Sequence, residues 1–178
     1  MPGTTAHDHE SAPPAAALAG VVVDVDEQYG QSLFGFARRL GLTVEQADDA
    51  VQEVLLRLFR ALTEGSVVED PKSWSFRTMY RLAMDEHRLR RRVNGLRERL
   101  GWLEGQRATP DATRGISLWS DVDRLPARQR QVLYLRYKAD LTYDEVAATM
   151  GITAGGARAV ANKALASLRS RIDTEDRS

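Results

Sequence analysis

Three groups of side chains in this sequence have the types and spacing to do chemistry. The densest lies between Lys72 and Arg92, where Trp74, Phe76 and Tyr80 stand among Lys72, Arg77, Arg81, Arg88, Arg90, Arg91 and Arg92. Rings interleaved with guanidinium groups suit an unstacked nucleic-acid strand, because rings stack on bases and cations neutralise phosphates. Each stacked base is worth about 1–3 kcal/mol, so two or three would hold a melted strand. The competing reading places Trp74 in the core and the arginines in solvent. Trp74 matches the apolar stripe of its helix, which favours the core for that residue. The dense, one-signed set Arg88, Arg90, Arg91 and Arg92 favours phosphate contact.

The second group is Thr153, Arg158, Ala159, Asn162 and Lys163. Thr153 is placed to cap a helix, and the other four fall on one face of it. In a major groove, Arg or Lys suits guanine, Asn suits adenine, and Ala can touch a thymine methyl. The third group is Asp49, Gln52 and Glu53, at i, i+3 and i+4 on one helix surface, with Arg57 a turn further on. By composition alone that face reads as solvated surface. No catalytic set accompanies these groups. His87 has no nucleophile near it in a recognisable pattern, and the neighbouring carboxylates Asp48–Asp49 and Asp144–Glu145 point different ways along their helices. The chain therefore reads as a binding protein and not as an enzyme, with no cofactor.

The elements that position these groups are helical throughout. Tyr29, Leu33, Phe34, Phe36, Ala37 and Leu40 predict a first helix from about Asp26 to Leu40, ended by Gly41. Thr43 with Gln46 three residues on forms a capping-box pattern. It opens a second helix whose stripe is Ala47, Ala50, Val51, Val54, Leu55, Leu58, Phe59 and Leu62. Asp70–Pro71 gives an N-cap and a proline at the first helical position. The third helix runs to about Arg92, burying Trp74, Thr78, Leu82, Met79 and Ala83, with a bend or break expected before Gly95. Residues 101–117 read as a linker, in which Trp102 and Leu103 are apolar islands. Three helical segments follow. One ends at Leu125–Pro126 and one runs from Pro126 through Tyr137. The last segment is a tight pair of helices around Gly151-Ile152-Thr153, with Thr142 and Glu145 forming a second capping box. That pair has the helix-turn-helix layout, in which Val146, Ala147 and Met150 face Ala157, Val160, Ala161, Ala164, Leu165 and Leu168.

Totals bound the rest. The 178 residues are 43% apolar and 28% charged, enough to bury a core and stay soluble. There is no cysteine, which excludes a disulfide scaffold and a thiolate metal site and fits a cytoplasmic protein. The first 22 residues read as a disordered tail without a signal peptide, and no run is long enough to insert in a membrane. His7 and His9 could hold a metal there, but a solvated tail is the better reading. The formal net charge is +0, so the distribution carries the information. The stretch Glu45–Asp70 is mostly acidic, and Arg77–Arg99 and Arg128–Arg171 are basic. One acidic face and two basic zones suit one protein partner plus nucleic acid at two places.

At these residues the sequence resembles a known family. The segment Ala47-Asp48-Asp49-Ala50-Val51-Gln52-Glu53-Val54-Leu55-Leu56-Arg57-Leu58-Phe59 is similar to region 2.2 of RNA polymerase sigma factors. Pro71-Lys72-Ser73-Trp74-Ser75-Phe76-Arg77, continuing to Asp85, resembles regions 2.3 and 2.4. Leu125-Pro126-Ala127-Arg128-Gln129-Arg130-Gln131-Val132 through Leu168 resembles region 4. The order and spacing, without regions 1.1 and 3, match the extracytoplasmic-function (ECF) group of the sigma-70 family.

The resemblance implies an all-α fold of two small helical domains joined by a flexible linker: a region 2 domain over residues 23–100 and a region 4 domain over 118–174. It implies that Asp49, Gln52, Glu53 and Arg57 grip the beta-prime clamp of core RNA polymerase, which reverses the solvated reading of that face. Lys72, Trp74, Phe76, Arg77, Tyr80, Arg81, Arg88 and Arg91 would hold the melted −10 strand, with the loop 64–70 capturing a flipped base. Thr153, Arg158, Ala159, Asn162 and Lys163 would read the −35 element. The beta flap of the polymerase, promoter DNA and an anti-sigma protein are the implied partners. Two positions depart from the family: Arg81 stands where Asn is usual, and Ala159-Val160 where Ser-Arg is usual. A helix-turn-helix regulator without polymerase contact, and a sigma mimic that titrates an anti-sigma protein, are the alternatives.

Overall fold

The computed structural model describes residues 15–99 and 118–175, with side chains for 15–94 and 119–171. The expectations for His7, His9, Trp102, Leu103 and most of the linker lie outside those residues. Among the described residues every regular element is a helix. None is long and apolar enough to cross a membrane.

The first half holds three helices. α1 spans Ala15–Arg39, so it starts well before Asp26, and residues 15–22, expected in the tail, are helical. The Ala-rich stretch has no apolar stripe to betray it, but Ala is the strongest helix former, and a packed helix extends outward without a new nucleus. α1 ends at Gly41, whose φ of 90° is left-handed. α2 spans Val44–Thr63 behind the expected Thr43–Gln46 capping box. α3 spans Pro71–Arg99 without a break at Gly95. Asp70 starts it by accepting hydrogen bonds from the Lys72 and Ser73 amides at 3.1 and 3.0 Å. Leu33, Phe36 and Ala37 of α1, Leu40 just after it, Ala47 and Val54 of α2, and Phe76, Met79 and Ala83 of α3 are buried together.

The second half holds α4 (Leu118–Asp123), α5 (Ala127–Leu133), α6 (Tyr143–Met150) and α7 (Ala154–Glu175). α5 runs into a π-helical turn at Tyr134–Lys138, closed by the Ala139 amide on the Tyr134 carbonyl at 2.9 Å. Asp140 then takes φ of 51°, a left-handed conformation that Asp tolerates better than most residues. α6 and α7 form the expected helix-turn-helix. Gly151, at φ 66°, makes the turn, and Thr153 Oγ1 accepts from the Gly156 amide at 3.0 Å. Thr142 and Glu145 complete the capping box that starts α6. Burial works against the Glu145 charge, but hydrogen bonds from the Thr142 hydroxyl and amide and the Lys72 charge outweigh it, so this carboxyl sits below its usual range. Thr142→Ala removes the cap oxygen and is expected to cost about 1 kcal/mol of stability in urea unfolding, against a range of about 0.5–2 for such caps.

The two halves share one continuous core. Tyr134 carries the seam. Its ring stacks on Phe36 at 5.7 Å and meets Trp119 edge-on at 5.7 Å. Its hydroxyl donates to the Ser32 carbonyl at 2.8 Å, and burial pushes its pKa up to about 12. The phenol sits over Gly35, where a Cβ would lie 2.6 Å from the hydroxyl oxygen. Beside it Arg39 pairs with Asp123 at 3.0 Å, and Arg130 donates to the Asp123 carbonyl at 2.8 Å. Burial lowers the Arg130 pKa despite the Asp123 charge. α6 packs on α3, and Lys72 Nζ reaches the Asp140 carbonyl at 3.0 Å.

Candidate functional site

α7 presents one continuous outward face. Ala157, Ala161, Ala164 and Leu168 are buried, which turns Arg158, Ala159, Asn162 and Lys163 to solvent. The structure therefore brings together four of the five residues expected to read duplex, and Thr153 serves as the N-cap below them. The residues at i±3 and i±4 from Arg158 are Ala154, Gly155, Ala161 and Asn162. None offers a carboxylate or a ring to restrain it.

A cluster that the sequence reading missed does. Tyr143, the first residue of α6, lies with its ring centroid 5.1 Å from the Arg158 guanidinium and 5.5 Å from that of Arg136. Arg136 also lies 5.6 Å from the Tyr137 ring and donates to the Leu141 carbonyl at 3.3 Å. Hydrogen bonding to Tyr143, aided by burial, raises the Tyr137 pKa. Tyr143 follows a helix cap and so looks like an ordinary first-turn residue; only the fold brings it under a residue fifteen positions away.

On α3, successive residues turn by about 100°, so Trp74, Arg77, Arg81, Arg88 and Arg92 share one stripe. Trp74, Arg77 and Tyr80 are half-buried, and Arg81, Arg88, Arg91 and Arg92 are exposed. Arg88 is paired with Asp85 at 2.8 Å. Arg90 is paired with Glu86 at 2.9 Å and bonded to Gln46, which gives it an internal role. Lys72 is half-buried, with its ammonium 5.5 Å from the Tyr29 ring. One expectation changes. Phe76 is fully buried, edge-on to Phe36 at 5.8 Å, so it supports the core and cannot stack on a base in this fold. Trp74, favoured as core, is half-buried, as is Tyr80.

α2 buries Ala47, Ala50, Val54 and Leu58. Asp49, Gln52 and Arg57 are exposed and Glu53 half-exposed on the opposite side. Arg57 Nε pairs with Glu53 at 2.6 Å. The face therefore carries two carboxylates, of which Glu53 is paired with Arg57 and Asp49 is exposed. Among the described residues no group of three or more His, Asp or Glu is placed to hold a metal.

The family model for sigma-70 region 2 matches residues 25–93, and that for sigma-70 region 4 matches residues 122–170. The chain is 27% identical to the RNA polymerase sigma factor SigV of Bacillus subtilis, over 75% of this chain and 81% of that protein. It is 26% identical to the ECF RNA polymerase sigma factor SigL of Mycobacterium tuberculosis, over 87% and 90%. Two solved structures share its fold. CnrH, in complex with the cytosolic domain of CnrY, matches with a TM-score of 0.57 at 22% identity, covering 90% of this chain and 95% of that one. The sigma factor RpoE from Bartonella quintana, in complex with the anti-sigma factor NepR, matches with a TM-score of 0.58 at 20% identity, over 84% and 97%. Two helical domains stand in the order region 2 then region 4, each matched by its own family model: the chain is an RNA polymerase sigma factor of the ECF group of the sigma-70 family.

Proposed function

We propose that α2 docks this sigma factor on the beta-prime clamp of core RNA polymerase through Asp49, Gln52, Glu53 and Arg57, that α7 reads the −35 element, and that α3 holds the melted −10 strand. The observation that carries this reading is the separation of surfaces: an exposed α2 face bearing carboxylates, and two basic helix faces in different halves of the chain. Trp74 and Tyr80 supply ring surface, and Lys72, Arg77, Arg81, Arg88 and Arg91 supply cations. Stacking and phosphate contacts offset the unstacking energy of the strand. The beta flap is the expected partner of the region 4 half, and an anti-sigma protein a second partner. The protein works in the cytoplasm, where core polymerase and DNA are.

The two promoter elements lie about 25 base pairs apart, roughly 85 Å of duplex at about 3.4 Å per pair. A packed chain of this size has a radius of gyration of only about 16 Å. Reading both elements therefore requires the halves to part, releasing Lys72 from Asp140. With a net charge of +0 and few phosphate contacts per half, the free protein binds DNA weakly.

Run-off transcription with core polymerase and a promoter library tests the proposal. Arg158→Ala and Lys163→Ala are each expected to cost about 1–3 kcal/mol at particular −35 base pairs. A uniform loss over all sequences would reassign them to phosphate. Tight, sequence-specific gel shifts without polymerase would favour a helix-turn-helix regulator instead.

A further inference from the structure

We infer that Tyr143 is a positioning residue for base reading: its ring holds the Arg158 guanidinium in the pose that α7 offers to duplex DNA. The inference rests on the reading of α7 as the −35 reader. A long arginine side chain samples many rotamers, a freedom that a bidentate contact to guanine must remove. On α7 nothing near Arg158 removes it beforehand, because its helical neighbours are Ala154, Gly155, Ala161 and Asn162. The restraint comes from α6. The Tyr143 ring lies 5.1 Å from the Arg158 guanidinium, within the range of attraction between a cation and a ring face.

The ring is itself held. The Thr142 cap fixes the start of α6, and Arg136 lies 5.5 Å from the ring. Arg136 is tied in turn to the Asp140 carboxylate at 3.4 Å and the Leu141 carbonyl at 3.3 Å. The platform thus belongs to the π turn and the first helix of the pair, and the arginine to the second. Tyr143 tunes how selectively Arg158 chooses a base, without itself reaching the base edge.

The test uses full-length protein with core polymerase and two promoters that differ at the −35 base pair to which Arg158→Ala makes the enzyme indifferent. The readout is the ratio of transcription from the two, which a general loss of folding or of polymerase binding leaves unchanged. Tyr143→Phe keeps the ring face and is the reference. Pentafluorophenylalanine at position 143 keeps the shape but reverses the charge distribution of the face, and is expected to lower the ratio about three- to fivefold. In an Arg158→Ala background the same replacement is expected to change nothing. An unchanged ratio with the fluorinated ring, or an equal loss without Arg158, overturns the inference. An Arg158→Ala protein that still discriminates at every −35 position overturns the reading of α7 and this inference with it, and that arm does not involve position 143.

Discussion

Glu53→Arg is expected to remove stable association with core RNA polymerase while leaving the fold intact. The substitution turns a carboxylate into a guanidinium on a face whose only other carboxylate named for docking is Asp49. It also sets the new cation one helical turn from Arg57, where the native pair is 2.6 Å apart. Losing an exposed i,i+4 pair costs about 0.3–0.5 kcal/mol, and Arg is nearly as good a helix former as Glu, so unfolding by urea should shift little. In the proposed docking contact with the polymerase the same change would replace attraction by repulsion. Removing one partner of such a contact costs about 2–5 kcal/mol, so affinity should fall at least about 30-fold. Fluorescence anisotropy of labelled protein titrated with core polymerase measures it. Affinity within a factor of two of the native value would remove α2 from the docking surface.

Phe76→Ala is expected to lower stability by about 3–5 kcal/mol, a large share of the roughly 5–15 kcal/mol that holds a domain together. Phe76 has no exposure at all and lies edge-on to Phe36, which in turn stacks on Tyr134 of the other half. The cavity would therefore open beneath the seam. Trp74→Ala, at a half-buried side chain, should cost less in urea unfolding and more in promoter melting, measured by permanganate reactivity of unpaired thymines. The reverse ranking in both assays would return Phe76 to the DNA surface and Trp74 to the core.

That pair shows where sequence reading reached its limit. Periodicity assigns one buried face per helix, and on α3 that face is Trp74, Thr78 and Leu82 with Met79 and Ala83, of which Thr78, Met79 and Ala83 are buried. The first half of α3 is instead enclosed on two sides, by α1 and α2 and by α6, so Ser73, Ser75, Phe76, Thr78 and Met79 are all buried. A stripe cannot report a second covering surface contributed from seventy residues away. Signals that act within four residues were legible. The two capping boxes, the Asp70–Pro71 start, the Gly41 and Gly151 turns and the α7 stripe all stand where the residues put them, because each is a hydrogen bond or a dihedral preference between near neighbours. The early start of α1 was hidden because alanine favours a helix without marking a face. The Tyr143–Arg158 pairing was hidden because it depends on how α6 crosses α7, and the seam around Tyr134 because its partners, Ser32, Gly35 and Phe36, lie about a hundred positions upstream.

Gly35 serves two masters. A glycine inside a helix is roughly 1 kcal/mol less favourable than an alanine, so α1 considered by itself would be improved by a methyl group there. In the assembled chain that methyl would collide with the Tyr134 phenol. A single carbon atom thus has opposite signs for the part and for the whole, and the first helix is kept weaker than it could be so that the far end of the chain has somewhere to rest.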